Sequence, residues 1–504
     1  MRKSALFIFL TVIVVNVNAQ NDNKIVIGKI DSVYSNILNE QRKIWIYLPD
    51  MTSGMHDSTK HYPVVYLLDG DAHFASVAGL IQQLSQVNGN TVCPEMIIVA
   101  IPNTDRTRDL TPTHIINDLP FMDSSFSKTS GGNENFIAFI EKELMPHIDS
   151  VYPTAPYRVL IGHSFGGLTV MNVLANHTKL FNAYIAIDPS MWYDKQHFLA
   201  ATEKKLPENK YDGRKLFLGI ANTMPGGMTI EKMKKDTSSD TRHIRSIFAL
   251  DDFIKAHPQN GLKYSTKYYG DDDHGSVPLA SEYDGLRFIF NYYRLHLSTK
   301  DYLADSSTLL ATKLKTHYDI ASKELGYKVL PPELVINSLG YLAISQHYYE
   351  KAAALFQINI DNYPNSSNAY DSYGDLFAAK KDTLNAIAYY KKALSIQDVA
   401  ETKQKLNALE RKELFTLTQQ QLQQYAGNYE IENMAVTIKL FVKDSVLMAD
   451  VPGEEETEMA PVAPDTFSLK NRNGYSIKFE RDGGKIIGFT SIQPNGTFKG
   501  ILKK

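Results

Sequence analysis

The chain has 504 residues, which exceeds what one hydrophobic core comfortably organises, so we expect two or three domains. Its hydrophobic content of 43% and charged content of 22% are ordinary for a globular protein. The formal net charge of −3 argues against a nucleic-acid-binding surface and against a polybasic membrane anchor.

The N-terminal segment has the composition of an export signal. Two basic residues precede the apolar run ALFIFLTVIVV, and small and polar residues follow it as far as Ala19. This order predicts a signal peptide over residues 1–19 and leaves no membrane span in the mature protein. The only cysteine, Cys93, excludes a disulfide within the chain. An exported chain without disulfides fits a bacterial envelope better than a disulfide-rich extracellular setting, so we expect a bacterial protein that is periplasmic or secreted.

Residues 20–297 alternate predicted strands with predicted helices. Several of the strands are uninterrupted apolar runs such as VVYLL and MIIVAI, which is typical of strands buried on both faces of a largely parallel sheet. The alternation therefore predicts an α/β domain with helices on both sides of the sheet. Strands are predicted over residues 24–30, 42–48, 63–68, 96–101, 157–161, 184–187, 216–221 and 262–269, and the clearest helices over 133–148 and 277–296.

Ser164 lies in the run YRVLIGHSFGG, between an apolar strand pattern and a helical pattern. This is the strand–turn–helix context of a nucleophile elbow, in which a strained turn exposes the serine hydroxyl. Gly162 and Gly166 remove the Cβ atoms that would clash with the strand and the helix. A structural turn is the alternative, but the flanking strand and helix favour Ser164 as a catalytic nucleophile.

His274 is the histidine best placed to act as the general base. In α/β-hydrolases the order along the chain is nucleophile, acid, histidine, and the histidine follows the last strand of the sheet. His274 lies in the loop DDDHGSVP, between the last predicted strand and a predicted helix. The adjacent residues 271–273 are three aspartates that cannot all face one ion, so a solvated loop is expected rather than a metal site. No metal or organic cofactor is implied.

The acid of a catalytic triad is not fixed by the sequence. No carboxylate directly follows the predicted strand 216–221, where it is expected. We prefer Asp236 slightly, with Asp188 as the alternative because it follows the preceding strand. Glu231 and Asp240 are further candidates, and a Ser–His dyad without an acid stays open, since the acid orients the histidine and is not itself the base.

An oxyanion hole needs two backbone N–H donors. One normally comes from the residue after the nucleophile, which here is Phe165. The other comes from the loop after an early strand, and the segment YLLDGD supplies it. The expected second donor is the amide of Asp71 or of Gly70, because Gly70 allows close approach of the backbone.

Three further residues follow predicted strand ends and are candidates for a substrate pocket. Trp192 can form the wall of an acyl or aromatic pocket, or pack in the core. Arg106 and Arg108 can bind an anionic group of the substrate, or form surface ion pairs.

The rest of the chain divides into three predicted segments. Residues 298–331 are predicted as a helical linker and residues 332–410 as an internal repeat, because Gly340 and Gly374 are 34 residues apart. This period resembles the tetratricopeptide repeat. Two copies are fewer than a free-standing solenoid needs, so we expect them to dock on another part of the chain. Contact with a peptide or protein through these repeats and a purely structural spacer are both open.

Residues 411–504 form short alternating segments separated by turn signals, which predicts a small antiparallel β-domain, either a barrel or a sandwich. The segment resembles the lipocalin-like C-terminal domain that follows some secreted bacterial serine hydrolases. No ligand is inferred from this resemblance.

Five motifs in order over roughly residues 24–297 resemble the α/β-hydrolase family called "Putative esterase": YLLDG, RTRDLTP, GHSFGG, DPSMW and DDHGS. The family includes siderophore esterases, feruloyl and acetyl xylan esterases, S-formylglutathione hydrolases and mycolyltransferases. The DPSMW and His-Gly-Ser motifs look closest to the siderophore esterases. Relatives often carry a glutamate where this chain has Asn222 and Thr223, and some siderophore esterases work as dyads.

The sequence therefore predicts an exported serine esterase that forms an acyl-enzyme on Ser164. The expected substrate is a small-molecule ester, with siderophore esters and acylated sugars as the classes in view, and nucleic acid is not an expected partner. An acyltransferase with the same nucleophile is one alternative. A non-catalytic scaffold with a degenerate hydrolase core is the other.

Overall fold

The computed structural model describes residues 24–49, 60–115, 124–304, 306–414, 416–434, 436–470, 472, 474–494 and 496–503. The predicted signal peptide, residues 1–19, lies outside the described residues. The chain forms two compact units. The first comprises the described residues up to His296 together with Asp319–Val329, and the second comprises Leu297–Tyr318 and the residues from Leu330 onward.

An eight-stranded sheet forms the centre of the first unit, with the strand order β1-β2-β4-β3-β5-β6-β7-β8. The six strands from β4 to β8 in this order are parallel, and β2 and β1 add antiparallel at one edge. The largely parallel sheet confirms the predicted α/β-hydrolase fold. The strands are β1 (Lys29–Ser35), β2 (Glu40–Tyr47), β3 (Tyr62–Leu68), β4 (Ile97–Ile101), β5 (Thr154–His163), β6 (Ala183–Ile187), β7 (Lys215–Ala221) and β8 (Lys263–Tyr269).

The bounds predicted from the sequence for the first strand of this sheet are wrong. It was expected over residues 24–30 but begins at Lys29, where pairing with Ile46 of β2 starts. Ile25 lies outside the pairing and is 97% exposed, so its apolar side chain does not mark a buried strand. The partner strand decides where β1 begins, and the local apolar run does not.

Helices cover both faces of this sheet. Successive residues of β3 belong to different buried clusters, Tyr66 on one face of the sheet and Val65 on the other, as the two-residue period of a strand requires. Ile81 of α1 and Leu286 of α10 belong to the second cluster. The helices are α1 (Gly70–Ser85), α2 (Arg106–Leu110), α3 (Ser124–Thr129), α4 (Asn133–Phe139), α5 (Met145–Val151), α6 (Phe165–Asn176), α7 (His197–Lys205), α8 (Ile230–Lys235), α9 (Arg242–Ala256) and α10 (Val277–Ile289).

Cys93 belongs to the cluster that α1 and α10 cover, and it is 1% exposed. Burial raises the pKa of its thiol far above the usual range. An inert, buried side chain is the result, because the thiolate is the reactive form of cysteine.

The sheet brings distant parts of the chain to one edge. Ser164 directly follows β5, Asp188 directly follows β6, and His274 comes a few residues after β8. Because these strands are parallel, their carboxyl ends lie at the same edge, where α/β proteins place their binding sites.

The helices beyond the first ten include two pairs built in the same way. A Cβ on Gly340 would lie 2.3 Å from the Phe356 ring, and a Cβ on Gly374 would lie 2.6 Å from the Tyr390 ring. The 34-residue spacing thus repeats one glycine–aromatic contact between paired helices, and the identification with tetratricopeptide repeats stays a prediction. The helices are α11 (Leu309–Leu325), α12 (Glu333–Ser345), α13 (Tyr349–Asn362), α14 (Ser367–Ala379), α15 (Thr383–Ile396), α16 (Ala400–Leu414) and α17 (Gln419–Leu422).

The C-terminal strands form a closed antiparallel barrel in which β16 pairs with β9. This confirms the predicted small antiparallel β-domain and identifies it as a barrel. Aromatic side chains, among them Tyr425, Phe467 and Phe479, fill part of its interior. The strands are β9 (Gly427–Ile431), β10 (Thr437–Lys443), β11 (Val446–Asp450), β12 (Thr457–Ala463), β13 (Thr466–Leu469), β14 (Ser476–Asp482), β15 (Lys485–Gln493) and β16 (Gly496–Leu502).

Within the described ranges of the chain, no helix combines the length and the apolar character that a membrane crossing requires.

Candidate active site

Ser164 occupies a strained turn between β5 and α6, with φ of 59° and ψ of −112°. A residue with a Cβ rarely adopts a positive φ, and such strain persists only where the surroundings enforce it. The Ser164 N–H donates to the carbonyl of Ile187 at 2.9 Å, and its carbonyl accepts from the Ser190 N–H at 3.0 Å. The end of β6 and the residues after it therefore hold the turn in place.

Packing requires the first glycine of the motif and leaves little room for a Cβ at the second. A Cβ on Gly162 would lie 2.4 Å from the carbonyl carbon of Gly166, which no side chain can satisfy. A Cβ on Gly166 would lie 3.1 Å from the carboxylate of Asp69, at the turn after β3. The start of α6 therefore packs closely against the end of β5 and against the turn after β3.

His274 lies between a hydroxyl and a carboxylate. Its Nε2 is 3.2 Å from Ser164 Oγ, and its Nδ1 is 2.6 Å from Asp188 Oδ2. An ionised carboxylate only accepts hydrogen bonds, so Nδ1 carries the proton and the Nε2 lone pair faces the serine. This is the tautomer that can accept the proton of the serine hydroxyl.

Asp188 is completely buried and accepts three hydrogen bonds. Its Oδ1 accepts from the Ala221 N–H at 3.0 Å, and its Oδ2 accepts from His274 and from His243 Nε2, the latter at 2.8 Å. Burial alone would raise the pKa of Asp188, but the hydrogen bonds from His243 and His274 outweigh it and hold the pKa well below its usual range. The carboxylate is therefore ionised at neutral pH.

Asp236, the preferred acid in the sequence analysis, is not beside His274, and the structure corrects that preference. Its carboxylate accepts hydrogen bonds from Ser238 and Thr241, which lower its pKa, and it lies in the connection between α8 and α9. The alternative candidate, Asp188, occupies the position beside His274 because it directly follows β6. Of the two further candidates, Glu231 pairs with Lys235 on α8.

The expected oxyanion-hole donors lie at two helix starts on the same edge of the sheet. Gly70 and Phe165 are the first residues of α1 and α6, which follow the neighbouring parallel strands β3 and β5. Gly70 is required there, because a Cβ would lie 2.7 Å from the Ile101 amide nitrogen. Asp71 follows in the first turn of α1. Amides at helix N-termini suit an oxygen that acquires negative charge.

A cavity of about 390 Å³ opens above the serine. The Trp192 ring lies 6.1 Å from the Phe165 ring, and the Arg242 guanidinium lies 5.5 Å above Trp192, so one wall is aromatic. The Ser190 hydroxyl is 3.2 Å from Ser164 Oγ and adds a further polar group to the cavity. The residues that line the cavity are Ser164, Phe165, Ser190, Trp192, Thr223, His243 and His274.

The two arginines that were candidates for binding an anionic group are both engaged in ion pairs. Arg106 Nε is 2.6 Å from Asp69 Oδ1, and its guanidinium lies 5.3 Å above the Phe165 ring. Arg108 pairs with Glu40 and with Asp109, both at 2.7 Å. The structure thus places both side chains in the ion-pair alternative of the sequence analysis.

A row of neutral side chains extends behind His274. The His163 ring is 4.5 Å from the His274 ring, and His73 is 5.7 Å from His163. Burial lowers the pKa of His163 to about 4, with His274 and His73 adding to the effect. Burial also lowers the pKa of His73. Burial raises the pKa of Glu282 to about 8, although a hydrogen bond from Ser76 acts in the opposite direction. The 3.4 Å contact between His73 and Glu282 therefore joins two neutral groups at neutral pH.

Within the described parts of the chain, Asp188, His243 and His274 form a group of three side chains that could hold a metal, with their potential ligand atoms within 4.8 Å of one another. The two nitrogen–oxygen distances to Asp188 are 2.6 and 2.8 Å. Ligands at about 2.0–2.1 Å on a tetrahedral ion lie roughly 3.3 Å apart, so these contacts fit shared protons and not a bound metal.

His243 is the site residue that sequence reasoning missed. The sequence analysis chose His274 as the base and assigned no role to His243. Its position was informative all the same, since it is the second residue of α9, a helix that follows β7 along the chain. A helix after a parallel strand begins near the edge where the strands end, and that is the edge of the site.

Comparison with known proteins adds independent information. Residues 35–220 match the family described as "Putative esterase". A solved structure of an IroE-like serine hydrolase from Shewanella oneidensis is 33% identical, covers 66% of this chain and 99% of its own, and superposes with a TM-score of 0.53. The siderophore enterobactin esterase of Emericella nidulans is 26% identical over 254 residues, 46% of this chain and 84% of the relative. The ferri-bacillibactin esterase BesA of Bacillus subtilis is 33% identical over 159 residues, 28% of this chain and 55% of the relative.

Proposed function

Because the chain belongs to the "Putative esterase" family and is a carboxylic ester hydrolase, we propose that it cleaves its ester through an acyl-enzyme on Ser164. The observation that carries the proposal is the continuous contact from Ser164 Oγ through His274 to the buried Asp188. Nucleophile, base and orienting acid are the three parts that such a mechanism needs.

In the proposed reaction, His274 Nε2 takes the proton of Ser164 as the serine oxygen attacks the ester carbonyl. The amides of Phe165 and of Asp71 or Gly70 receive the oxygen that becomes negative. Collapse of this intermediate expels the alcohol, which receives the proton from His274. Water then attacks the acyl-enzyme by the same steps and frees the acid and Ser164.

Asp188 acts throughout as the orienting group. Its carboxylate keeps the proton of His274 on Nδ1, so that Nε2 is always free to accept one from the serine. It also stabilises the positive charge that His274 carries between the two proton transfers. Because the carboxylate is fully buried, water does not screen this attraction.

We propose siderophore esters as the substrate class. Two curated relatives are described as a siderophore enterobactin esterase and a ferri-bacillibactin esterase, which supports this choice. The cavity above Ser164 supports it as well, since the aromatic wall formed by Phe165 and Trp192 suits an ester with a planar, ring-containing acyl part.

Export is also part of the proposal and depends on residues 1–19 alone. We expect the protein made in a bacterial host to begin at Gln20 and to be found outside the cytoplasm. N-terminal sequencing of the cell fractions tests this directly. A full-length chain confined to the cytoplasmic fraction would contradict export and leave the catalytic proposal untouched.

The catalytic proposal is tested with the chain from Gln20, a short-chain p-nitrophenyl ester and a catecholate siderophore lactone. We expect hydrolysis of both by the wild type and loss of nearly all activity in Ser164→Ala and in His274→Ala. A fluorophosphonate probe should label the wild type on Ser164, as located by mass spectrometry. Hydrolysis that persists in Ser164→Ala, or a wild type that the probe leaves unlabelled, would refute the mechanism.

A further inference from the structure

The carboxylate that orients His274 is shared with a second imidazole. Asp188 Oδ2 is 2.6 Å from His274 Nδ1 and 2.8 Å from His243 Nε2. We propose that His243 is a positioning residue of the catalytic site, which holds Asp188 in place and takes up part of its negative charge. The inference rests on the proposed function and adds a fourth residue to it.

The hydrogen bonds of His243 fix its protonation. Asp188 only accepts, so His243 Nε2 must carry a proton. His243 Nδ1 is buried and has no hydrogen-bond partner among the described residues, and a second proton there would leave a buried N–H unpaired. The N-terminal turn of α9 also disfavours a positive charge at this position. His243 therefore donates one hydrogen bond, from its Nε2 to Asp188.

The geometry shows what this hydrogen bond does. The Ala221 N–H holds Asp188 Oδ1, and the two imidazoles hold Oδ2. The His243 ring is nearly perpendicular to the His274 ring, at 86° and 5.2 Å between centroids, so the two rings approach Oδ2 from different directions. Rotation of the carboxylate would break the bond to Ala221 and both bonds to the histidines.

His243 also limits the access of water to the acid. Its side chain is 20% exposed and lines the cavity, whereas Asp188 is 0% exposed. The ring therefore lies between the carboxylate and the solvent of the cavity. A buried carboxylate acts more strongly on its partner than a hydrated one, which is useful only while its orientation is fixed.

The shared charge has a measurable consequence. A carboxylate that also accepts a bond from His243 attracts a protonated His274 less than a carboxylate bonded to His274 alone. Removal of the His243 donor should therefore favour protonated His274 and move the acid limb of the pH–rate profile to higher pH. Among the described residues, two further titratable groups face His274: His163, whose ring packs against it, and Asp273, its neighbour along the chain. Both are unchanged in the variants below.

Two substitutions separate the hydrogen bond from the shape of the side chain. His243→Phe keeps a ring and removes the donor, whereas His243→Gln keeps an N–H donor of similar reach. We expect His243→Phe to lower kcat for p-nitrophenyl ester hydrolysis roughly 10- to 100-fold with little change in KM, because a misplaced base costs rate and not binding. Its acid limb should move up by about half a pH unit or more. His243→Gln should restore most of kcat and return the limb to the wild-type position.

The inference is overturned if His243→Phe has wild-type kcat and an unchanged acid limb, or if His243→Gln is as impaired as His243→Phe at equal thermal stability. Ser164→Ala in the same assay separates failure of this inference from failure of the proposed mechanism. If Ser164→Ala remains active, the mechanism itself is wrong. NMR of the full chain labelled with ¹⁵N-histidine provides a readout without turnover. The Nε2–H signal of His243 should be present in the wild type and shifted or lost in Asp188→Asn, and a His243 protonated only on Nδ1 would refute the inference whatever the activity.

Discussion

The ring of His163 packs against the ring of His274, with centroids 4.5 Å apart and planes inclined by 41°. His163 directly precedes Ser164 along the chain, so the residue before the serine covers one face of the His274 ring. Because the pKa of His163 lies near 4, this ring stays neutral at the pH values at which esters are hydrolysed enzymatically. This contact can hold His274 in place without repelling the positive charge that the proposed mechanism places on it.

The lowered pKa of His163 predicts acid-sensitive stability. An unfolded histidine titrates near 6.5 and the folded one near 4, so the contribution to stability is present above pH 6.5 and is lost as the pH falls towards 4. Between pH 7 and pH 5 this group should cost about 2 kcal/mol of unfolding free energy. His163→Gln removes the titration, so its urea midpoint should fall less than that of the wild type over this range. Equal losses in the two proteins would contradict the assignment.

Asp188 and Asp236 form a matched pair for a test of the acid. Asp188→Asn should reduce kcat by roughly 10³- to 10⁴-fold, because an amide no longer enforces the tautomer of His274. Asp236→Asn should leave kcat within about threefold, since its carboxylate bonds to Ser238 and Thr241 and not to the base. Steady-state kinetics with the same ester measure both effects. A larger loss in Asp236→Asn than in Asp188→Asn would reverse the assignment.

The raised pKa of Glu282 predicts that the protein loses stability at alkaline pH. Its pKa is raised from about 4.5 unfolded to about 8 folded, so the stability that it contributes is present below pH 4.5 and is lost as the pH rises through 8. Between pH 5 and pH 9 this group should lower the free energy of unfolding by about 4 kcal/mol. Glu282→Gln should escape this cost and therefore unfold at higher urea than the wild type at pH 9. The prediction fails if the difference between the two proteins is the same at both pH values.

Trp192 should influence which acyl groups the cavity accepts. Trp192→Ala removes a large part of the aromatic wall, and we expect kcat/KM for a benzoate ester to fall about tenfold, with much less effect on an acetate ester. Trp45→Phe is the control, because the other tryptophan of the chain packs against Phe74 at a distance of 5.7 Å on a different face of the sheet. An equal loss for both esters in Trp192→Ala would indicate a structural role instead.

The sequence was most informative where one local pattern decides the structure. The buried strands and the turn at Ser164 each depend on a few consecutive residues, and the structure places the turn where the glycines require it. The acid could not be chosen in this way, because Asp188 and Asp236 both follow the nucleophile at acceptable distances along the chain. Only the order of strands in the sheet shows that the end of β6 lies beside β5.

The contacts around His274 were hidden for a related reason. His243, His163 and Glu282 come from a helix after β7, the end of β5 and helix α10, and no spacing along the chain links them. The unusual pKa values of His163 and Glu282 arise from burial, which is a property of the folded molecule. The predicted bounds of strand β1, residues 24–30, were wrong for a similar reason, since its start depends on its partner strand.

The burial of Cys93 gives this chain an internal reporter of structural opening. It is the only cysteine and is 1% exposed, so a thiol reagent reacts with the protein at one place and only while that place is open. The rate of alkylation under native conditions therefore measures how often the α1 side of the sheet separates. The same measurement in the His163 and Glu282 variants would show whether changes at these two side chains propagate to the buried cluster that holds Cys93, with no label added to the protein.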